Sequence, residues 1–411
     1  MNFLEFFIWG SWLITIGAYW FQNKHWTGAE FGVIFSTMGI SSLFMPAIAG
    51  IIVDRWVNAE KLLGIFHLLG GCVLLYIPQV NNPTTFFWVI LLNMVFYMPT
   101  IALSITVAYT SLKKSNKDVV SVYPSIRVWG TIGFIAAMWM VSLLKFETTA
   151  MQFYVAAIAA FGLGIYSFTL PKCPPQLTQT DKKSIVQILG LNAFTLFKNS
   201  QMAIFFIFSM LLGAALQLTN AYGDTFIHDF ANIEAYKDLI AVKYPAIIMS
   251  ISQMSETLFI LTIPFFLKRF GIKQVMIFSM VAWVLRFGLF AYSNPGTNLW
   301  MIVLSCIIYG MAFDFFNISG SLFVEKNSDP AIRGSAQGLF MMMTNGFGAF
   351  FGSYFSGLII DKFFITDHAG SKNWTGIWLT FSAYALVVAI LFAVLFRYKY
   401  DPKEELVPSH S

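Results

Sequence analysis

Glu256 and Gln253 are the first pair of residues in this sequence whose types and spacing could do chemistry. They lie three residues apart in the stretch Ile-Ser-Gln-Met-Ser-Glu-Thr-Leu, inside an apolar run long enough to cross a bilayer. This spacing puts both side chains on one helical face, where a carboxylate and an amide suit hydroxyl groups or ring nitrogens. Because a charge within a membrane span is costly, Glu256 is predicted to be a substrate ligand, a proton carrier or both. A structural ion pair or hydrogen bond to another helix is the alternative.

A second acid, Asp314, lies in an apolar run that begins at Leu299 and continues for roughly 20 residues, enough for one span. Tyr309 and Phe313, four residues apart in this run, share one helical face. An aromatic face of this kind suits a small polar molecule with flat rings. Asp314 follows Tyr309 by five residues and so points away from that face. It is therefore predicted either to carry a coupling proton or to neutralise Arg286, a basic residue in the preceding span.

Two further helical faces carry polar groups. Arg127, Thr131 and Phe134 follow one another at intervals of four and three residues, and therefore share a face. Arg127 lies a turn or two from the end of its span, so contact with a ligand and snorkelling to the membrane surface are both open interpretations. Gln217 and Asn220, three residues apart in another span, need hydrogen-bond partners in an apolar helix. Either a ligand or a neighbouring helix would supply them.

The composition places these faces in a membrane protein. The 411 residues are 57% hydrophobic and 11% charged, with a mean hydropathy of +0.70, whereas soluble domains are about 25% charged. The net charge of +5 implies no nucleic-acid partner, because the basic residues fall in short loops between apolar runs, a pattern that orients membrane proteins. The three cysteines show neither metal-ligand spacing nor a disulfide framework.

Several classes of function are excluded by what the sequence lacks. It has no phosphate-binding glycine loop with a lysine, no metal-ligand motif and no nucleophile–base pair that would predict an enzyme. No cofactor is therefore expected. No segment is long enough for the soluble nucleotide-binding domain of an ATP-driven pump. If the protein moves a solute, the energy must come from a gradient.

The apolar runs predict an all-α membrane protein with twelve transmembrane helices, because open strands cannot cross lipid. The first run carries Glu5 in front, interpreted as an interfacial acid, and lacks a cleavage site. It is therefore interpreted as the first span rather than as a signal peptide. The predicted spans are 3–22, 30–53, 60–79, 85–111, 122–145, 149–170, 199–222, 244–267, 273–293, 298–322, 333–360 and 374–397.

A charged connection after the sixth span divides the chain into two six-helix bundles. The predicted domains are an N-terminal bundle at 1–170, a cytoplasmic linker at 171–198, a C-terminal bundle at 199–397 and a cytoplasmic tail at 398–411. This is the layout of major facilitator transporters. The stretch from Gly50 to Arg55 resembles their Gly-x-x-x-Asp-Arg loop motif, and Lys268-Arg269-Phe270-Gly271 stands at the equivalent place in the second half.

Charge and loop length predict the orientation of the chain. Most of its 25 lysines and arginines fall on the side that holds both termini, which places the termini in the cytoplasm. Residues 223–243 are then the largest external loop, interpreted as a solvated cap or, alternatively, as a lid over the outer mouth.

In span eleven, Gly348 and Gly352 are spaced for close helix packing, with a sliding surface as the alternative.

Five longer motifs make the sequence resemble a known family, the bacterial nucleoside:proton symporters of the major facilitator superfamily, which comprise nucleoside and xanthosine permeases. The resemblance runs from the first span to the twelfth and depends on no single motif. The motifs are Trp9-Gly-Ser-Trp12, Ile126-Arg-Val-Trp-Gly-Thr-Ile-Gly-Phe134, Met202-Ala-Ile-Phe-Phe-Ile-Phe-Ser-Met-Leu-Leu-Gly213, Gln253-Met-Ser-Glu-Thr-Leu-Phe-Ile-Leu-Thr-Ile-Pro264 and Phe313-Asp-Phe-Phe-Asn-Ile-Ser-Gly320.

The resemblance implies a proton-coupled importer of purine and pyrimidine nucleosides, such as uridine, adenosine and cytidine, in a bacterial inner membrane. It implies a monomer that works by alternating access around a central site. By motif match, the ligand-contacting positions fall on Arg127, Thr131, Phe134, Gln217, Asn220, Gln253, Glu256, Tyr309 and Phe313, with Glu256 or Asp314 as the proton carrier. The rival interpretations are a symporter for a sugar or other small polar solute and a nucleoside sensor that does not transport.

Overall fold

The structure is a computed structural model that describes residues 1–26, 28–117, 119–175, 191–329, 332–365 and 372–398. The described chain is almost entirely helical, and its one extended pairing is an isolated bridge between Ile365 and Lys372. The predicted linker lies largely outside the described residues, which resume at 191, and so does the predicted tail from residue 399 onwards.

The helices follow one another through short connections. The first half of the described chain contains α1 (Asn2–Gly10), α2 (Ile16–Ala18), α3 (Gly28–Arg55), α4 (Ala59–Tyr76), α5 (Pro83–Lys114), α6 (Val119–Leu143) and α7 (Met151–Ser167). The second half contains α8 (Ser200–Asp229), α9 (Ile240–Lys243), α10 (Pro245–Tyr292), α11 (Leu299–Asn327), α12 (Arg333–Met341), α13 (Ala349–Phe363) and α14 (Trp374–Leu395).

Four of the twelve crossings depart from single regular helices. The first crossing consists of α1, α2 and a π-helical turn at Tyr19–Asn23. The eleventh consists of α12, a π-helical turn at Met342–Gly348, and α13. The eighth and ninth are the two arms of α10, which bends at Gly271, where φ is +74°. Glycine is suited to that bend because it reaches positive φ without a side-chain clash.

This architecture confirms the predicted fold class. Eight described helices are long and apolar enough to cross a membrane, and one of these is the double-length α10. The shorter α7 and the interrupted first and eleventh crossings complete the set of twelve. The predicted turn after Lys268 falls at the observed bend of α10.

Helix contacts fall into two groups joined by a few cross-contacts. In the first half α1 packs on α6, α4 on α7, and α3 on α5, whereas in the second half α10 packs on α11 and α14. The main cross-contacts are α3 with α13 and α6 with α10. The cross-contact of α3 and α13 depends on glycine, because a Cβ at Gly32 would overlap the carbonyl oxygen of Ser353.

Two local predictions were wrong. Residues 223–229, predicted to begin the external loop, are the last two turns of α8, and Gly223–His228 are buried. Glu5, interpreted as an interfacial acid, is fully buried, with its carboxylate 2.8 Å from His67 Nε2 and 2.6 Å from the donating hydroxyl of Thr100. These groups hydrogen-bond a side chain that would otherwise be expensive to bury.

Candidate solute site

A cavity of about 810 Å³ lies between the two groups of helices. Its walls come from both halves of the chain, with α1, α3, α5 and α6 on one side and α8, α10, α11 and α12 on the other. The volume is within the roughly 300–1,000 Å³ range of sites for small organic molecules.

The cavity is displaced toward one end of the bundle. Its lining takes in the second halves of α3 and α5, as far as Ala47 and Ile105, and the first half of α6 from Arg127. It also includes Phe194 and Ser335, near the starts of the seventh and eleventh crossings. Because consecutive crossings alternate in direction, all these parts of the helices belong to the end that holds the N-terminus.

The opposite end is closed by direct contacts between the halves. Trp139 Nε1 donates to Ser250 Oγ at 2.8 Å, and the backbone N–H of Ala246 donates to Glu147 Oε1 at 3.2 Å. Phe31 and Tyr222 meet edge to face with ring centroids 5.6 Å apart. The cavity therefore has access from one end only, as an alternating-access transporter requires of any single state.

All nine residues predicted to contact a ligand line this one cavity. They come from four helices of the two halves: Arg127, Thr131 and Phe134 of α6, Gln217 and Asn220 of α8, Gln253 and Glu256 of α10, and Tyr309 and Phe313 of α11. Their roles toward a ligand remain predictions.

One wall of the cavity is aromatic. The rings of Tyr309 and Phe313 are stacked with centroids 5.8 Å apart and planes 5° from parallel, as the four-residue spacing on α11 predicts. On the other side, Phe134 meets Trp9 edge to face at 6.3 Å. These rings leave flat apolar faces beside a space that also contains polar groups, an arrangement suited to a planar heterocycle.

Arg286 supports the aromatic wall from behind. It is fully buried, and its guanidinium carbon lies 4.7 Å from the centroid of the Tyr309 ring. Its nitrogens donate to the carbonyl oxygen of Ser305 at 2.6 Å and to the hydroxyl of Thr219 at 3.3 Å. The predicted ion pair with Asp314 is not formed between these two described residues. Arg286 is instead accommodated by a cation–π contact and by neutral acceptors.

Amide groups on the cavity wall have unused hydrogen-bonding capacity. Gln217 is 1% exposed, and within the described chain neither its Oε1 nor its Nε2 has a hydrogen-bond partner. The same holds for Gln253 Oε1 and for the indole Nε1 of Trp9. Because buried polar groups are normally paired, these unpaired atoms in the cavity wall agree with the predicted contacts to a polar ligand.

The charged residues of the cavity are held apart. Arg127 is exposed to the cavity and stacks its guanidinium over the ring of Phe6, 4.3 Å from the centroid. It interacts electrostatically with Glu256, yet no ion pair joins these two described residues. Arg127 thus contributes to the cavity wall, which favours the ligand interpretation over snorkelling to the membrane surface.

Asp314 does not line the cavity. It is 5% exposed, and Oδ2 has no hydrogen-bond partner in the described chain. Both Glu256 and Arg127 act on it electrostatically. Asp314 therefore lies outside the cavity lining and within electrostatic range of Glu256 and Arg127.

The sequence interpretation missed Trp9 as a cavity residue. Trp9 begins one of the motifs that carry the family resemblance, but a single tryptophan in an apolar span has no spacing that distinguishes a ligand contact from packing. Its Nε1 and its contact with Phe134 become informative only when α1 and α6 are placed together.

The fold and the cavity define a membrane transporter of the major facilitator type. The chain superposes on the crystal structure of the nucleoside transporter NupG with a TM-score of 0.90 and 50% sequence identity, over 97% of this chain and 98% of that one. The fold inferred from hydropathy is therefore that of a solved transporter.

Sequence comparison defines the family. A model of the nucleoside H+ symporter family matches residues 1–401. The xanthosine permease of Escherichia coli K12 is 52% identical over 98% of this chain and 96% of its own length. The nucleoside permease NupG of the same organism is 50% identical over 97% of this chain and 95% of its own. The chain belongs to the nucleoside H+ symporter family, whose members are transporters and not enzymes.

Proposed function

We propose that this protein imports purine and pyrimidine nucleosides together with protons, by alternating access of its two halves. The observation that carries the proposal is the pairing, in one cavity between the halves, of a stacked aromatic wall with unpartnered amides. A nucleoside has a flat base and a hydroxyl-rich ribose, and each part matches one of these features. Family membership supports the same conclusion.

In this proposal the base lies against the aromatic residues. Tyr309 and Phe313 offer one apolar face and Phe134 another. Stacking of a base on such rings contributes about 1–3 kcal/mol per base and tolerates both purines and pyrimidines. The site would accordingly accept uridine, cytidine and adenosine.

The ribose and the base edges would bind the polar residues. Gln217, Asn220 and Gln253 supply amide donors and acceptors, Thr131 a hydroxyl, and Arg127 charged donors. The unpaired atoms of Gln217 and Gln253 support this assignment, because a bound nucleoside would provide the partners that they lack.

Glu256 is the proposed proton carrier, with Asp314 as the second acid. Glu256 lines the cavity, so its proton state and the bound solute can influence one another. Arg127 and Asp314 act on it through space, which gives proton binding a route to affect the ligand groups. Protonation would neutralise the carboxylate before the halves close around it.

Alternating access would be a movement of residues 1–170 against residues 199–397, linked by 171–198. The helix contacts support this division, because most occur within one range or the other. In this proposal the protein lies in the inner membrane of a bacterium, with both termini and the tail at 398–411 in the cytoplasm. The described state is then open to the cytoplasm. The protein would work as a monomer, because the cavity is built from a single chain.

Binding competition on purified protein tests the substrate class. Labelled uridine is bound in detergent, and unlabelled adenosine, cytidine or a sugar is added in excess. Adenosine and cytidine should displace uridine, whereas a hexose and a disaccharide should not. Displacement by sugar at the concentration at which nucleosides act would instead support the sugar-symporter interpretation.

A further inference from the structure

Three potential metal-ligating side chains meet at the closed end of the bundle, opposite the cavity mouth. Glu147 stands between α6 and α7, and Asp224 and His228 lie one turn apart near the end of α8. His228 Nε2 is 2.9 Å from Glu147 Oε2 and 3.5 Å from Asp224 Oδ2. One ligand atom from each residue lies within 4.8 Å of the others.

These groups are buried, and two of the three are carboxyl groups. Glu147, Asp224 and His228 are 4%, 1% and 8% exposed. Two carboxyl groups therefore share this enclosed space with a single imidazole. The next acid along α8, Asp229, is paired with a lysine, because its Oδ2 lies 3.3 Å from Lys372 Nζ.

The hydrogen bonding of Asp224 is an independent observation that points to a cation site. Neither of its carboxylate oxygens has a hydrogen-bond partner in the described chain, although the side chain is almost fully buried and directed at His228. A buried carboxyl group without a hydrogen bond is unfavourable. Glu147, by contrast, accepts from the N–H of Ala246. A bound cation would give Asp224 the partner it lacks.

The donor set selects the kind of cation. One imidazole nitrogen and two carboxylate oxygens form a three-ligand set of the kind that binds Zn²⁺, with bonds of about 2.0–2.2 Å. Such bonds put neighbouring donors about 3.3 Å apart, close to the observed separations. Ca²⁺ and Mg²⁺ prefer larger sets of oxygen ligands. We propose that Glu147, Asp224 and His228 bind a divalent transition-metal ion such as Zn²⁺.

The site has a consequence for transport, which rests on the proposed function. Glu147 belongs to the first half of the chain, and Asp224 and His228 belong to the second. An ion bound to all three ties the halves together at the end that must open for the outward-facing state. Zn²⁺ is therefore an inhibitor that holds the protein open to the cytoplasm.

Zinc titration tests the site without any transport measurement. The full chain, purified in detergent with its affinity tag removed and treated with a chelator, is titrated with ZnCl₂ by calorimetry. One ion should bind per chain, and Glu147→Gln, Asp224→Asn and His228→Gln should each weaken binding at least tenfold. His25→Gln, which removes an exposed histidine, should bind as the parent does. Thermal melting confirms that each variant is folded. One folded variant is enough to test whether these residues bind the ion.

Two outcomes overturn the proposal: no stoichiometric zinc binding by the parent protein, or unchanged affinity in the folded variants of the three ligands.

The transport consequence is tested separately by uridine uptake into proteoliposomes. Zinc should inhibit the parent and the His25→Gln variant, and Glu147→Gln should need at least tenfold more zinc. Uptake that is insensitive to saturating zinc would refute the proposal that the bound ion ties the two halves together. Zinc binding by a protein without uptake would refute the proposed function and leave the metal site standing.

Discussion

Arg127 of α6 and Glu256 of α10 line one cavity from different halves of the chain and interact electrostatically, without an ion pair between these two described residues. Each of these side chains belongs to a different half of the chain, and both line the 810 Å³ cavity. Opposite charges held apart in this way attract strongly where water is partly excluded. A solute that binds in the cavity, or a proton that binds Glu256, changes the attraction between the two halves.

Glu256→Gln should uncouple transport from the proton gradient. The amide keeps the size and hydrogen-bonding capacity of the side chain but cannot take up the coupling proton. Uridine accumulation under an inward proton gradient should fall at least tenfold, while exchange of labelled for unlabelled uridine persists. The control is Glu234→Gln, because the Glu234 side chain is 85% exposed in the loop after α8. Unaltered uphill uptake by the Glu256 variant would remove this residue from the coupling role.

Phe313→Ala should weaken nucleoside binding without unfolding the protein. Loss of one stacked ring removes about 1–3 kcal/mol of base stacking, which corresponds to a rise in Kd of roughly 5- to 150-fold. Binding of labelled uridine in detergent measures the change. Phe355→Ala is a matched control, because that ring is exposed outside the cavity on α13. Equal Kd values for the two variants would contradict a base-stacking role for Phe313.

Gly32→Ala should destabilise the closed end of the bundle. The new methyl group would overlap the carbonyl oxygen of Ser353 in the facing half, and backbone cannot move aside as a side chain can. Gly50→Ala on the same helix is the control, since no atom lies within 4 Å of its Cβ position.

The readout for Gly32→Ala is a reporter cysteine at Ala221, which is 1% exposed at the closed end. A water-soluble maleimide should label Ala221→Cys several-fold faster when Gly32→Ala is also present, and at the parental rate when Gly50→Ala is present. Equal labelling in both backgrounds would show that α3 and α13 do not form the barrier.

Cys173 should resist alkylation at neutral pH. Burial raises the pKa of its thiol, and the thiolate is the reactive form. Labelling by N-ethylmaleimide should therefore be slow at pH 7 and accelerate as the pH rises toward the raised pKa. Mass spectrometry of the Cys173 peptide, compared with the same peptide from unfolded protein, measures the difference. Equal rates in folded and unfolded protein at pH 7 would contradict burial of this thiol.

Glu60→Ala should expose the same thiol. Glu60 Oε2 accepts from the backbone N–H of Cys173 at 2.7 Å, and Glu60 is 2% exposed. Removing the acceptor leaves a buried N–H unpaired, which costs about 1–3 kcal/mol, so the segment after α7 should detach more often. Labelling of Cys173 at pH 7 should rise several-fold, whereas Glu234→Ala should leave it unchanged.

The cavity residues were predictable where spacing along one helix carried the information. Gln253 with Glu256, and Tyr309 with Phe313, are polar or aromatic pairs at three- or four-residue spacing, and a helix places such pairs on one face. The twelve crossings followed from hydropathy for the same reason, because bilayer thickness fixes the length of an apolar helix.

Features that depend on distant parts of the chain could not be predicted in this way. Glu147 is far in sequence from His228, and no local pattern shows that they meet. Arg286 was expected to need a carboxylate, but an aromatic ring and neutral acceptors surround it instead. The extension of α8 through Asp224 was missed because its polar residues look like a loop until their burial is known.

Uptake of labelled uridine into proteoliposomes under an imposed pH gradient tests the central claim most directly. An inward proton gradient should drive uridine above its external concentration, and a protonophore should abolish the excess. Uridine binding without accumulation under that gradient, or accumulation that the protonophore leaves unchanged, would contradict proton-coupled nucleoside import.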